Sequence, residues 1–306
     1  MTKLAEIMDE FDQRRVFFEP VGGNHGDTLI ELGSRFFLSK YQLDYVDRPD
    51  LADLLIINGS GSFAVELWSP GLVGLKKLAA YFSALPIIVL PSSFQFLHTD
   101  FASAFLERTA PAYLFAREAE SYARIANLDY PAPVYTFLHP DMAFELRDSP
   151  FLDVLKESVQ SKHILLIERF DREATTQSIY EMNFASSVKK AVPAPVKRFL
   201  KKGLHHIRRQ KSGFTSSALS RLYSEHPEFR GLPVIAEDIS SDVGFRFEQF
   251  LQLIAQAAVV ISNRLHAAIL AAMLGKTTII LCGHPYGKLE SCYEFSMKDY
   301  PNVSLW

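Results

Sequence analysis

The chain has 306 residues, 48% of them hydrophobic and 22% charged, with a formal net charge of −3 and two cysteines. This length and composition favour two globular α/β domains and exclude a disulfide scaffold or a disordered chain. The N-terminus lacks a signal-peptide core and no apolar run reaches the roughly 18–20 residues of a membrane span, so we expect a cytoplasmic protein.

The first half of the chain alternates between apolar strands and helical patterns. Such alternation is typical of a doubly wound domain with a parallel sheet, and we place this first Rossmann-like domain, the expected acceptor side, at residues 1–150. The predicted strands are 16–19, 54–57, 86–90, 112–116 and 134–138, and the predicted helices are 4–13, 72–83, 100–109 and one that follows the glycine-rich run 22–27.

The second half repeats this alternation. We assign residues 151–306 to a second Rossmann-like domain, the expected donor side. The predicted fold class is therefore α/β, with two Rossmann-like domains that face each other across a cleft. The predicted strands are 163–167, 232–235, 258–261 and 277–281, and the predicted helices are 247–257, 267–274 and 288–295.

Positive charge is concentrated in one segment of the second domain. Residues 182–224 contain ten Lys and Arg residues and no Asp or Glu, so we treat them as a basic insertion. Within 196–209 the apolar residues fall near one helical face and the cations on the other, which fits an anionic membrane surface or a polyanionic saccharide. A solvated insertion that packs on its own domain is the alternative. Nucleic acid is not an expected partner, because aromatic residues do not alternate with the cations.

The strand–helix–strand unit at 258–281 contains the strongest candidate site. Ser262 and Asn263 are predicted to cap its helix, which puts Arg264 and His266 in the first turn, beyond the carboxyl end of a strand. Ligands of open α/β sheets bind at that edge, and the N–H groups of a helix N-terminus favour an anion there. Arg264 adds a cation and His266 a group that can act as general acid or base, so we predict a site for a phosphorylated or carboxylated substrate with His266 as its catalytic residue.

Polar residues also follow the strands of the first domain. Amide, hydroxyl and carboxylate groups in glycine-rich loops suit the hydroxyls of a sugar. The same residues are equally suited to capping helices, Asp27 and Glu118 in particular. The candidates for the acceptor or the cleft loops are Asn24, His25, Gly26, Asp27, Ser60, Ser92, Arg117, Glu118 and Asp141.

Several motifs of the chain resemble, in order, those of the polysaccharide pyruvyltransferase family. The resemblance covers nearly the whole chain apart from roughly 182–230, and it departs at Pro-Ser-Ser (91–93), where a Gln is common in the family. The motifs are Gly-Asn-His-Gly-Asp (23–27), Arg-Glu-Ala-Glu-Ser (117–121), Pro-Asp (140–141), the element of Arg169, Asp171 and Glu173, and Ser-Asn-Arg-Leu-His-Ala-Ala-Ile-Leu (262–270).

The resemblance implies a fold like that of GT-B glycosyltransferases and an enzyme of exopolysaccharide assembly. Such an enzyme moves the enolpyruvyl unit of phosphoenolpyruvate onto a saccharide, free or lipid-linked, and closes it into a pyruvate ketal. The resemblance implies that Arg169 and Arg264, with Leu265 in the same motif, bind the donor, and Lys288 is a further candidate cation. The sequence contains no group of His, Cys, Asp or Glu residues with the spacing of metal ligands, so we expect neither a metal nor another cofactor.

Two other functions remain open at this point. A nucleotide-sugar glycosyltransferase of the same architecture would need a ribose-binding carboxylate late in the chain, for which Glu290 is a loose candidate. A non-catalytic saccharide-binding subunit would keep the fold but would be favoured by loss of Arg264 or His266, and both are present. The sequence also leaves open whether His266 protonates the enol carbon or deprotonates the sugar hydroxyl.

Overall fold

The computed structural model describes residues 2–64, 69–169, 214–240, 244–283 and 287–306. These residues form two compact units. The first comprises Met1–Val154 and Lys288–Pro301, and the second comprises Leu155–Gly287 and Asn302–Trp306. The predicted second domain, an uninterrupted run from 151 to 306, is corrected in this respect.

The segment Lys288–Pro301 belongs to the first unit because its side chains are packed there. Leu289 and Cys292, on one side of its helix, are 2% and 3% exposed. Further along, the Arg147 guanidinium lies 5.0 Å from the centre of the Tyr300 ring. Apolar burial and this cation–π contact therefore hold the returning segment against the first unit.

The first unit is built on a six-stranded parallel sheet with the strand order β2-β1-β3-β5-β7-β8. Phe63–Ala64 (β4) and Phe94–Gln95 (β6) pair separately as a small parallel ribbon. The six strands are Arg15–Glu19 (β1), Asp44–Val46 (β2), Leu54–Ile57 (β3), Ile87–Ser92 (β5), Ala112–Ala116 (β7) and Val134–Leu138 (β8). The helices of this unit are Lys3–Asp9 (α1), His25–Leu38 (α2), Pro70–Tyr81 (α3), Ala119–Ala126 (α4), Pro150–Glu157 (α5, which runs past the boundary between the units) and Lys288–Ser296 (α9, numbered after the helices of the second unit), with 3₁₀ turns at Pro49–Leu51, Ala102–Phe105 and Met142–Asp148.

Both faces of this sheet are covered, which explains its uninterrupted apolar strands. Leu54 and Ile56 share a core with residues of α1 and α2. The alternate residues Leu55 and Ile57 share a second core with residues of α3 and α4. On the first face α2 packs closely on the turn Met142–Asp148. Gly33 allows this approach, since a Cβ atom at that position would lie 1.9 Å from the Met142 carbonyl oxygen.

The helix predicted at 100–109 is wrong, since the structure has a short 3₁₀ turn at Ala102–Phe105. After this turn the chain makes hydrogen bonds that are incompatible with a continued helix. The N–H groups of Thr109 and Ala110 both donate to the Ser83 carbonyl. The buried Arg108 guanidinium donates to the carbonyls of Ala79, Leu85 and Pro111, and burial lowers the pKa of Arg108 to about 10.

The second unit has a five-stranded parallel sheet with the order β10-β9-β11-β12-β13. The helix between β11 and β12 ends at Met273, and Gly275 just beyond its C-cap has a positive φ of 71°, which suits the helix stop that the sequence predicts. The strands are His163–Ile167 (β9), Val234–Ala236 (β10), Ala257–Ser262 (β11), Thr277–Ile280 (β12) and Val303–Leu305 (β13), and the helices are Phe214–Glu225 (α6), Phe247–Ala255 (α7) and Leu265–Met273 (α8), with a 3₁₀ turn at Pro227–Phe229.

The basic insertion 182–224 lies outside the described residues up to position 213, and its remainder falls in α6. Its contact with membrane or saccharide therefore stays a prediction. Within the residues that the structure describes, no helix is both long and apolar enough to cross a bilayer.

Candidate functional site

The candidate donor site of the second unit lies where two neighbouring strands end. Strands β9 and β11 are parallel and in register, with Ile167 opposite Ser262. Arg169 and Arg264 therefore follow adjacent strands at the same edge of the sheet. The Arg169 N–H donates to Asn263 Oδ1 at 2.7 Å, which fastens the two loops to each other. The structure thus brings together the ends of the two strands from which both predicted donor-binding arginines come.

The predicted caps of helix α8 are wrong. Arg264 is the N-cap residue and its side chain makes no capping hydrogen bond. The Ser262 hydroxyl accepts from the Arg264 N–H at 2.8 Å and donates to the Arg264 carbonyl at 3.1 Å. Because the Asn263 side chain is used by Arg169, both predicted capping residues fix the backbone of the two arginines instead.

The Arg264 side chain has a partner that the sequence analysis missed. Its Nε donates to Asp238 Oδ1 at 3.0 Å, and its Nη2 donates to Asp238 Oδ2. The two residues are 7% and 9% exposed, so this is a buried, two-point ion pair. The sequence did contain one indication of this partner: Asp238 lies two positions after strand β10, and therefore at the same edge of the sheet as Arg264.

His266 is the second residue of α8 and is partly buried. Leu265 before it and the residues from Ala267 to Met273 after it are buried. The helix is thus enclosed along its length, and His266 lies in its first turn near the carboxyl ends of the strands. This is the position that proton transfer at an anion site would require.

In the first unit a buried ionic cluster joins the ends of strands β5, β7 and β8. Arg117 and Asp141 are 1% and 2% exposed, and Arg117 Nη1 donates to Asp141 Oδ2 at 2.7 Å. Arg117 Nε also donates to the Ser93 hydroxyl at 2.8 Å. Asp141 accepts the Ala143 N–H at 2.9 Å, which starts the 3₁₀ turn after β8. Arg117 and Asp141, both predicted for the cleft loops, are therefore bound to each other.

Glu118 extends this cluster to the returning helix α9. Its carboxylate accepts hydrogen bonds from the hydroxyls of Ser93, at 3.0 Å, and Ser121, and the Cys292 thiol lies 3.8 Å away in α9. Burial raises the pKa of Glu118 and of Cys292, although the Arg117 charge opposes both shifts. Glu118 is the N-cap residue of α4 without a side-chain capping bond, so the capping alternative does not hold for it.

Lys288 lies in the first unit, whereas the sequence analysis placed it with the donor-binding residues of the second domain. It is 7% exposed at the start of α9. A Cβ atom at Gly61 would be 3.2 Å from Lys288 Nζ and 3.5 Å from Arg117 Nη2. Position 61 is therefore a glycine where two cationic side chains approach the backbone. Its place in the second domain is therefore corrected, and its role in donor binding stays a prediction.

The other predicted cleft residues mainly bond to their own loops. Asn24 Oδ1 accepts the Gly26 N–H at 2.7 Å and Asp27 Oδ2 accepts the Asn24 N–H at 2.8 Å, so the two form a capping box on α2. His25, the first residue of that helix, is buried. The Ser92 hydroxyl accepts the Ser60 N–H at 3.1 Å and donates to the Leu90 carbonyl at 2.7 Å. The Ser60 hydroxyl lies 2.5 Å from that of Ser62.

The sequence analysis also missed Asn58, directly after β3. Its side chain is fully buried, and neither Nδ2 nor Oδ1 has a hydrogen-bond partner among the described residues. Its N–H donates to the Glu19 carbonyl at the end of β1. The chain order of the sheet reverses between β1 and β3, which is where doubly wound sheets bind ligands. An amide group with unused hydrogen-bonding capacity thus lies at the expected binding position of this unit.

Metal ligands were not expected from the sequence. In the described parts of the chain, no three His, Cys, Asp or Glu side chains are grouped so that they could hold a metal ion. Metal independence of the activity stays a prediction. Asp171 and Glu173 of the Arg169 element lie outside the described residues.

Comparison with protein families adds the deciding observation. A family model described as polysaccharide pyruvyl transferase matches residues 23–281. The chain belongs to the polysaccharide pyruvyl transferase family. The family predicted from the motifs is therefore confirmed, and with it the class of a transferase acting on polysaccharide. No curated protein sequence matches the chain significantly.

Solved structures are similar in fold. An uncharacterized protein of Klebsiella pneumoniae subsp. pneumoniae NTUH-K2044 aligns with a TM-score of 0.62 at 20% identity, over 100% of this chain and 99% of that one. UDP-GlcNAc 2-epimerase of Methanocaldococcus jannaschii aligns more weakly in two structures, with TM-scores of 0.33 and 0.31, identities of 11% and 13%, and coverage of 91% of this chain and 76% and 77% of the epimerase. The α/β class with parallel sheets is confirmed, and the cleft between two facing domains stays a prediction.

Proposed function

We propose that this pyruvyl transferase family member transfers the enolpyruvyl unit of phosphoenolpyruvate to two hydroxyls of a saccharide and releases phosphate. One observation carries the proposal. Arg169 and Arg264 follow the neighbouring strands β9 and β11, whose last residues pair with each other, and His266 lies in the first turn of the helix after β11. These are two cations and an acid–base group at one sheet edge. That combination fits an anionic donor whose reaction needs proton transfer.

The donor contacts follow from its charge. Phosphoenolpyruvate carries a phosphate and a carboxylate, and arginine binds such groups with two parallel hydrogen bonds. The N-terminus of α8 adds N–H groups and a positive partial charge, and the N-cap side chain does not use them for capping. We assign the donor to the second unit, with Arg169, Arg264 and Leu265 of the 262–270 motif around it.

The reaction balances with the groups at this edge. Protonation of the methylene carbon makes C2 of the enol electrophilic, and a first sugar hydroxyl adds to C2 and loses its proton. Phosphate then leaves, and the second hydroxyl adds to C2 and loses its proton, so that one hydroxyl proton ends on the new methyl group and the other leaves with phosphate. His266 is the group we assign to proton transfer, in either direction.

We assign the saccharide acceptor to the first unit, because a buried amide matches a sugar hydroxyl. A hydroxyl both donates and accepts hydrogen bonds, as does the side chain of Asn58. The Glu118 and Arg117 side chains, which were also acceptor candidates, are bonded within their own cluster. Asn58 is therefore the acceptor-reading group that we add to the proposal.

Replacing Asn58 with leucine should weaken acceptor binding without destabilising the fold. A buried amide without partners costs free energy, and an apolar group of similar shape removes that cost. We expect an unchanged or higher thermal midpoint, an unchanged affinity for phosphoenolpyruvate and a raised KM for the acceptor, measured by calorimetry and steady-state kinetics.

Asn302→Leu is the matched control for stability. The Asn302 amide donates to the carbonyls of Ala272 and Lys276, so its loss should lower the midpoint. An Asn58→Leu protein with the wild-type acceptor KM would contradict the role proposed for Asn58.

The competing functions have less support. A nucleotide-sugar glycosyltransferase would need a ribose-binding carboxylate in the second unit, and Glu290 lies in α9 of the first unit. A saccharide-binding subunit without activity would need neither His266 nor the two arginines Arg169 and Arg264.

The direct test is an assay with phosphoenolpyruvate and a panel of galactoside, glucoside and mannoside acceptors. We expect acceptor-dependent release of inorganic phosphate and a product with the added mass of a pyruvate ketal. A glycosyltransferase would consume a nucleotide sugar instead, and a binding subunit would turn over neither donor. Consumption of a nucleotide sugar, or turnover of neither donor, in the presence of active acceptors would refute the proposal.

A further inference from the structure

Helix α3 of the first unit is apolar on its outer side as well as on its inner side. On the inner side Leu72, Leu75 and Leu78 are buried in the core. On the outer side Val73 and Tyr81 are 62% and 77% exposed. A surface helix normally turns charged and polar side chains outward, and a helix that is apolar all round is normally enclosed. Helix α3 therefore has a surface of the kind that proteins usually cover.

The outward residues of α3 form one continuous face. Positions 73, 76, 77, 80 and 81 fall on the same side of a helix with 3.6 residues per turn, and all five are exposed. Tyr81 is the most exposed large hydrophobic side chain in the described part of the chain. At the border of this face, a Cβ atom at Gly74 would meet no heavy atom within 4 Å. We call the set Val73, Lys76, Lys77, Ala80 and Tyr81 the α3 outer face.

The α3 outer face is positively charged. Lys76 and Lys77 are the only charged residues of the helix. Neither side chain makes an ion pair or a hydrogen bond with the residues that the structure describes. The sequence from 67 to 99 contains no Asp or Glu, so the charge of the two lysines is not balanced by a neighbour along the chain. The face therefore combines exposed apolar side chains with cations alone.

This combination matches the surface of an anionic bilayer. Apolar and tyrosine side chains enter the boundary between headgroups and acyl chains, where tyrosine is enriched. Lysine places its methylene stem along apolar surface while its ammonium group reaches the lipid phosphates. A second copy of the chain fits less well, because a two-fold contact through this face would bring lysines against lysines without an acid between them.

We propose that the α3 outer face docks the first unit on the surface of an anionic bilayer. Val73 and Tyr81 enter the interface, and Lys76 and Lys77 contact the lipid phosphates. The contact is peripheral. It is separate from the basic insertion, which belongs to the second unit, and from the groups assigned to donor and acceptor, so it does not depend on the proposed function.

The test measures how the full chain partitions onto vesicles by flotation. The wild type should bind vesicles of phosphatidylglycerol and phosphatidylcholine more tightly than phosphatidylcholine alone, and binding should weaken as salt rises. The double variant Lys76→Gln/Lys77→Gln should bind the anionic vesicles about 30-fold more weakly, since each cation near such a surface contributes roughly fivefold. Val73→Ser/Tyr81→Ser should bind them about tenfold more weakly, because apolar burial is lost. All variants keep the basic insertion, so its contribution cancels in these ratios.

Each double variant has a matched control in the same unit. Arg14→Gln/Lys298→Gln removes two exposed positive charges outside α3 and should bind like the wild type. Tyr45→Ser/Leu51→Ser removes two exposed apolar side chains outside α3 and should also bind like the wild type. Thermal midpoints near that of the wild type are expected for all four, because every substituted side chain is exposed.

Loss of binding confined to the two α3 variants would support the proposal. A wild type that binds anionic vesicles no better than phosphatidylcholine would overturn it, as would equal binding by the α3 variants and their controls. Sedimentation velocity covers the remaining occupant. Self-association of the wild type that Val73→Ser/Tyr81→Ser abolishes, without an effect on vesicle binding, would show that a second copy covers this face and would also overturn the proposal.

Discussion

Replacing His266 with alanine is expected to lower turnover by about 10²–10⁴-fold, the usual contribution of a positioned general acid or base. Most of the affinity for phosphoenolpyruvate should remain, because the arginines and the N-terminal turn of α8 are unchanged. The fold should remain as well, since His266 is only partly buried and alanine favours a helix. Single-turnover kinetics with a saturating donor measures the chemical step directly.

His226→Ala is a suitable control for this experiment. His226 lies in the same unit, where its ring faces Glu228 at an exposed position. Its replacement should leave turnover at the wild-type level. If His266→Ala kept the full rate, the family assignment would stand, but the proton transfer would have to come from another group.

Replacing Arg117 with methionine is expected to lower the free energy of unfolding by about 3–5 kcal/mol, the typical cost of removing one partner of a buried ion pair. Arg117 is fully buried between Asp141 and Glu118. Without it, two buried carboxyl groups lose their nearest cation and must either protonate or draw in water. Equilibrium urea unfolding followed by circular dichroism measures the change.

The same substitution at Arg48 provides the comparison. Arg48 pairs with Asp50 in the same unit, but both side chains are largely exposed, and such pairs contribute little. Arg48→Met should therefore unfold like the wild type. Adding Asp141→Asn to Arg117→Met should recover part of the loss, because one uncompensated charge is removed. A mild effect of Arg117→Met alone would mean that the cluster is wetter than its burial indicates.

The sequence predicted the strands well because parallel strands covered on both faces are uninterrupted apolar runs. Leu54–Ile57, Ala112–Ala116, Val134–Leu138 and His163–Ile167 were predicted with their observed bounds. Short strands carried no such signal. Asp44–Val46 at the sheet edge is polar and exposed, and it was missed.

Pairings between distant residues could not be predicted from the sequence. Local pattern placed Arg264 at a strand end, but its partner Asp238 is brought there by the order of the strands. The same limit applies to Lys288, since nothing in its own helix tells which unit the helix packs on. Asn58 illustrates a different difficulty, because an unsatisfied amide becomes visible only when the surrounding hydrogen bonds are known.

The return of α9 to the first unit has a consequence for biosynthesis. The ribosome makes residues 288–306 after both sheets have otherwise been synthesised, yet α9 completes the first unit and β13 completes the second. Until then the Glu118 carboxylate is not covered by Cys292. Strand β12 is then an edge strand with unpaired backbone groups, which can pair with strands of other chains. Neither unit can therefore reach its final form before residues 288–306 have been synthesised, and a fragment that stops before residue 288 would leave two incomplete domains rather than one.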